Sequence, residues 1–94
     1  MVTLEKCVKD RIAIWVNKKE AIKCYEYFYA NFLKREWKSD RKTVFKEGKF
    51  EIWFNTTTNW QSGYQPGYSV DKGYCTKVIL FKQLTLSKKG YDIW

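Results

Sequence analysis

The chain is expected to fold as an α+β domain, a mostly antiparallel sheet of four or five strands with one long amphipathic helix packed on one face. Three observations carry that expectation. Arg11-Ile12-Ala13-Ile14-Trp15-Val16 is a short apolar strand that runs directly into a helix start at Asn17-Lys18-Lys19-Glu20. Behind it, Ala21, Tyr25, Phe28 and Phe32 recur at the period of one helix face. Downstream, Thr43–Asn55 and Tyr74–Gln83 alternate in the manner of strands.

Asn17 is placed to accept a hydrogen bond from an orphan amide of the first helical turn, and Glu20 stands where a capping box needs its acid. Ile22, Cys24, Tyr29 and Leu33 flank the apolar stripe, while Lys23, Glu26 and Lys34 fall on the far side, so the helix spans Lys18–Leu33. Its partners are expected to be Phe45, Phe50, Ile52 and Phe54, against which Tyr25, Phe28 and Phe32 would be buried. Met1–Asp10 reads as a loose strand or turn. Lys34–Arg41 reads as a charged, frayed last turn whose cations suit the negative end of the helix dipole.

Thr43–Asn55 reads as a β-hairpin turning at Glu47-Gly48, with Lys46 opposite Lys49, Thr43 opposite Ile52 and Lys42 opposite Trp53. Alternation then sends Phe45, Phe50, Ile52 and Phe54 to the core side. Lys42, Lys46, Lys49, Glu51 and Trp53 take the outer side. Two lysines facing each other repel, a cost that a nearby anion removes. The plain alternative is a solvated sheet face with a single exposed Trp.

Asn55–Gly73 mixes turn formers with spaced rings, and Gly63, Pro66 and Gly67 forbid a continuous helix. A loop of this length binds something or is disordered. Trp60, Tyr64 and Tyr68 offer stacking faces; the alternative is that they fold back to patch the core. Tyr74–Gln83 is apolar on both faces, which places it inside the sheet rather than at its edge. Leu84–Ser87 extends it or follows it, and Tyr91–Trp94 makes a short closing strand.

The 94 residues are read as one domain, residues 1–94. Aromatics make up 19%, more than so small a core needs, which sends some rings to the surface. Eighteen Lys and Arg against ten Asp and Glu leave a net charge of +8, which favours an anionic partner. Cys7, Cys24 and Cys75 cannot all pair within one chain and form no CxxC, so they read as reduced thiols of a cytosolic protein. With no His and no clustered Cys, neither a metal nor another cofactor is expected. No signal peptide or membrane span is expected either.

Catalytic signatures are absent from the sequence. Without His there is no Ser-His-Asp or Cys-His pairing. Neither GxxxxGK[ST] nor GxGxxG occurs. Glu51 and Asp71 are the only suggestive acids, and neither has a partner at a telling spacing. The expectation is a protein that is not an enzyme.

Arg11–Ala21, Cys75–Leu80 and the terminal Gly90–Trp94 follow an order of strand, Asn-x-x-Glu-Ala helix, Cys-containing strand and Gly-Tyr-x-Ile-x end. In this the chain resembles small accessory proteins encoded by phages of Gram-positive bacteria, across about a third of its length. The helix that usually precedes the final Gly-Tyr is reduced here to Leu84-Thr85-Leu86-Ser87. Some proteins of that type block bacterial immune systems. The resemblance implies the cytoplasm of a bacterial host cell as the place of action.

The leading expectation is a non-enzymatic binding protein that captures an anionic, nucleotide-containing ligand. In the setting the resemblance implies, it would sequester a host immune signal. The site is expected on the outer face of the hairpin and the loop after it. There Lys42, Lys46 and Lys49 would meet phosphate, and Trp53, Trp60, Tyr64 and Tyr68 would supply rings. One alternative is an inhibitor that docks directly on a host defence nuclease or its guide complex, through an acidic face or the bound nucleic acid. Another is a phage single-stranded nucleic-acid-binding protein. A small-ligand sponge would need a closed pocket, which leaves room for a homo-oligomer.

Overall fold

Thr3 begins the first helix by accepting a hydrogen bond from Lys6 N–H at 3.2 Å, an N-cap that satisfies one of the orphan amides. The computed structural model describes residues 1–34, 47–56, 59–62 and 65–86. In chain order these form β1 (Val2–Thr3), α1 (Leu4–Asp10), β2 (Ile12–Asn17), α2 (Lys18–Phe32), β3 (Lys49–Asn55) and β4 (Asn59–Ser62). They continue with α3 (Tyr68–Asp71), β5 (Lys77–Leu80), a 3-10 turn at Phe81–Gln83 and β6 (Leu84–Thr85). The α+β class is as expected.

The main sheet has the order β4-β3-β2-β5. β2 runs antiparallel to β3, with Ile14 opposite Ile52, and parallel to β5, with Ile14 opposite Ile79. A two-residue parallel bridge pairs Val2 with Leu84 and Thr3 with Thr85. The sheet is therefore mixed, which corrects the expectation of a mostly antiparallel one. Parallel pairing of β2 with β5 needs a long crossover, which the chain supplies over more than fifty intervening residues.

α2 forms as its sequence demands. Asn17 Oδ1 accepts from Glu20 N–H and Glu20 Oε1 accepts from Asn17 N–H, both at 2.8 Å. Ala21, Tyr25 and Phe28 are buried against Phe50, Ile52 and Phe54 in one core, and Phe32 packs at its margin. Phe45 lies outside the described residues. The helix buries more than the one stripe: Tyr27 is also fully enclosed, its hydroxyl donating to Glu5 Oε2 of α1 at 2.7 Å. So the helical content is shared by α2 with α1 and α3, and the stretch expected as a loose strand or turn, Met1–Asp10, is the two-residue β1 followed by α1 over Leu4–Asp10. Leu4 and Cys7 anchor α1 in the core. Its exposed Lys6–Asp10 pair, at 2.8 Å, adds little.

The expected hairpin partner of β3 is also corrected. Ile52 has Ile14 on one side and Ser62 on the other, so β3 is flanked by β2 and β4, while the expected partner residues Lys42 to Lys46 lie outside the described residues. β3 instead turns into β4, with Trp53 opposite Gln61 and Phe54 opposite Trp60. The expected loop over Asn55–Gly73 thus contains a strand and a short helix. β5 ends at Leu80 and, among the described residues, lies at the edge of the sheet rather than inside it. The closing strand expected at Tyr91–Trp94 lies outside the described residues.

All three cysteines are free and buried. Burial pushes the Cys7 thiol up to about 12 and drives the Cys24 thiol up as well, from an ordinary value of 9.0. An unfolded chain releases these protons first, so the folded state loses stability as pH rises from about 9 toward 12. The melting temperature should fall between about pH 8 and about pH 10. Cys24→Ala should flatten that fall. An equal slope in the variant would show that the thiols do not contribute.

Candidate ligand-binding cleft

The face of the sheet away from α2 is where the sequence places Lys49, Glu51 and Trp53, and β3 does turn them that way. It is not a solvated face. Glu51 is 0% exposed and Trp53 only 7%. The cover comes from residues 65–75. Tyr68 N–H donates to Glu51 Oε1 at 2.6 Å, and Ser69 Oγ donates to Glu51 Oε2 at 3.0 Å. A buried carboxyl group is tolerated because it has these donors. Ser69 is a hub in turn, its carbonyl accepting from Tyr74 N–H at 2.8 Å and Cys75 N–H at 3.1 Å. Gly67 and Gly73, at φ 82° and 79°, let the chain reverse at each end of α3.

This cover carries rings. Tyr74 stacks on Trp53 with centroids 5.4 Å apart and planes at 25°, and Tyr68 lies 6.2 Å from Trp53. Tyr74 is 46% exposed and Tyr68 38%, so the stack ends in open ring surface. A small apolar cluster of Ala13, Trp53 and Cys75, with Val78 against it, holds the base of the stack.

Beside the stack opens a cleft of about 450 Å³, lined among others by Arg11, Trp53, Asn55, Thr56, Tyr74 and Cys75. That volume lies within the roughly 300–1,000 Å³ of small-ligand sites. Arg11 is its cation among the described residues. It caps α1 in the left-handed region at φ 55°, where a residue with a Cβ carries strain of about 1–2 kcal/mol. Its N–H donates to the Cys7 carbonyl, and its own carbonyl accepts from Thr76 N–H at 2.7 Å and Thr76 Oγ1 at 3.2 Å. The backbone is fixed while the side chain is exposed and, among the described residues, without an ion-pair partner. Among the described residues, no acid lines the cleft. Burial pushes the Cys75 thiol up to about 11; a Ser69 hydrogen bond opposes the rise and the Glu51 charge adds to it. Such a thiol is a poor nucleophile at neutral pH.

Of the expected site residues, Trp53 and Tyr68 are brought together, though Trp53 is buried rather than exposed. Lys49 lies four residues back along β3, about 13 Å by strand rise, and lines a different cleft. Trp60 is placed by its backbone in β4, opposite Phe54. Lys42, Lys46 and Tyr64 lie outside the described residues. Arg11, Tyr74 and Asn55 escaped the sequence reading. Arg11 looked like the first residue of a strand, and Tyr74 looked like one more alternating strand position.

Among the described residues, no group of three or more His, Cys, Asp or Glu is placed to hold a metal ion. No helix among them is long and apolar enough to cross a membrane. Comparison with protein-family models, with curated proteins and with solved structures finds no match for the chain, so the cleft has to be read from its own chemistry.

Proposed function

We propose that the protein is a non-enzymatic binding protein that takes an anionic, nucleotide-containing ligand into the Arg11–Trp53–Tyr74 cleft. One observation carries the reading: a cation with no ion-pair partner among the described residues shares a ligand-sized cleft with the open end of an aromatic stack. A phosphate would meet the Arg11 guanidinium, whose fork suits two phosphate oxygens. A base would stack on Tyr74, and Asn55 and Thr56 are polar groups at the same wall. The net charge of +8 would draw such a ligand in. The resemblance to phage accessory proteins supports a role in which capture sequesters a host immune signal in the bacterial cytoplasm.

Calorimetric titration with a panel of ribonucleotides, the matching nucleosides and inorganic phosphate tests this. A nucleotide should bind more tightly than its nucleoside. Tyr74→Ala should weaken it by tenfold or more, since a stacked base is worth roughly 1–3 kcal/mol. Arg11→Glu should weaken it at least as much while circular dichroism stays unchanged. With one cation in the lining among the described residues, the salt dependence should be shallow, unlike the steep loss of a multi-lysine nucleic-acid site. Equal affinity for nucleotide and nucleoside, undiminished in Arg11→Glu, would exclude the reading.

A further inference from the structure

We infer that a second cleft, at the other end of the same sheet face, docks an acidic segment of a partner protein, with one apolar side chain of that segment seated between Trp15 and Leu80. Leu80 is 42% exposed and stands next to Trp15 in the β2–β5 register. Lys49 and Lys82 border the cleft, both exposed and, among the described residues, without ion-pair partners. Phe81 completes the apolar wall.

Size and charge choose the occupant. The space is about 250 Å³, below the roughly 300–1,000 Å³ that whole small ligands occupy, so it fits an inserted side chain better than a free molecule. An exposed apolar residue with a polar rim is the pattern of a protein contact. Among the described residues the lining holds one acid, Glu20, and its Oε1 is engaged by the Asn17 amide at 2.8 Å. The two lysines therefore favour carboxylates on the incoming segment. A second copy of this chain, at +8, would set cations against cations. A nucleic acid would satisfy the lysines but bring no aliphatic side chain to cover Leu80. The inference is independent of the nucleotide cleft: α3, held on Glu51, stands between the two along β3.

The test is an NMR titration of the whole chain with two short peptides. One carries aspartates on both sides of a single leucine, and the other has glycine in place of that leucine. A short oligothymidylate is the third titrant. The leucine peptide should shift the Trp15 indole and Leu80 signals and bind about tenfold more tightly than the glycine peptide. Lys49→Glu combined with Lys82→Glu, both at exposed sites, should abolish those shifts while the rest of the spectrum stays folded. Leu80→Asp should weaken binding by about tenfold or more. Equal binding of the two peptides would reduce the site to charge alone and overturn the inference. So would stronger shifts at Trp15 with oligothymidylate, concentration-dependent broadening there without any titrant, or no shift at all.

Discussion

Phe28→Ala is expected to destabilise the protein by about 3–5 kcal/mol, the range for deleting a fully enclosed aromatic side chain. Phe28 is 0% exposed and touches three rings. It stacks on Phe54 of β3 at 4.7 Å, stacks on Phe32 at 5.0 Å, and meets Tyr29 edge-on at 6.3 Å. The Phe54 contact joins α2 to the sheet, so its loss cannot be repaired by movement within the helix. A domain of this size has only about 5–15 kcal/mol to lose. Phe32→Ala is the internal control, because Phe32 packs at the core margin and should cost clearly less. Urea denaturation measures both; the midpoint should fall with the slope unchanged. A loss below about 1 kcal/mol for Phe28→Ala would mean that α2 does not pack on β3 through this ring.

What could be read from the sequence was what local rules decide. The Asn17–Glu20 capping box and the apolar stripe behind it specify α2 without reference to the rest of the chain. The alternation of Phe50, Ile52 and Phe54 assigns the core face of β3 correctly for the same reason. α1 was invisible because seven residues give barely two turns of periodicity, and its stability comes from burying Leu4 and Cys7. The parallel partner of β2 is a distant segment that no local pattern announces. The outer face of β3 misled for a related reason. Glu51 and Trp53 alternate as solvent-facing residues should, and they are buried only because residues 65–75 fold over them. Hence Trp53 and Tyr68 are legible as ring candidates, while the cleft beside their stack depends on Arg11, from a helix end that no local pattern shows.

That cover makes Glu51 the positioning residue of the candidate site, and Glu51→Ala is expected to cost about 3 kcal/mol. Removing the carboxyl takes the acceptor from the buried Ser69 hydroxyl, worth roughly 1–3 kcal/mol, leaves Tyr68 N–H only its longer 3.3 Å bond to the Gln65 carbonyl, and opens a void beside Trp15 and Trp53. Glu51→Gln keeps an acceptor for Tyr68 and a polar group for Ser69, so it should cost only about 1 kcal/mol. Glu51→Met, of similar volume but without an oxygen acceptor, separates a hydrogen-bonding anchor from a space-filler: it should cost clearly more than Glu51→Gln, whereas for a space-filler the two would cost about the same. A second readout locates the damage. Ser69 holds the Tyr74 and Cys75 amides, and α3 closes through Asp71 N–H to Gly67 O at 2.7 Å. Hydrogen exchange at Asp71, Tyr74 and Cys75 should therefore accelerate in Glu51→Ala well before exchange in α2 does. Nucleotide affinity should fall with it, because Tyr74 would no longer be held against Trp53. If those amides stay protected in a folded Glu51→Ala variant, the cover is held by its ring contacts instead, and Glu51 does not set the geometry of the cleft.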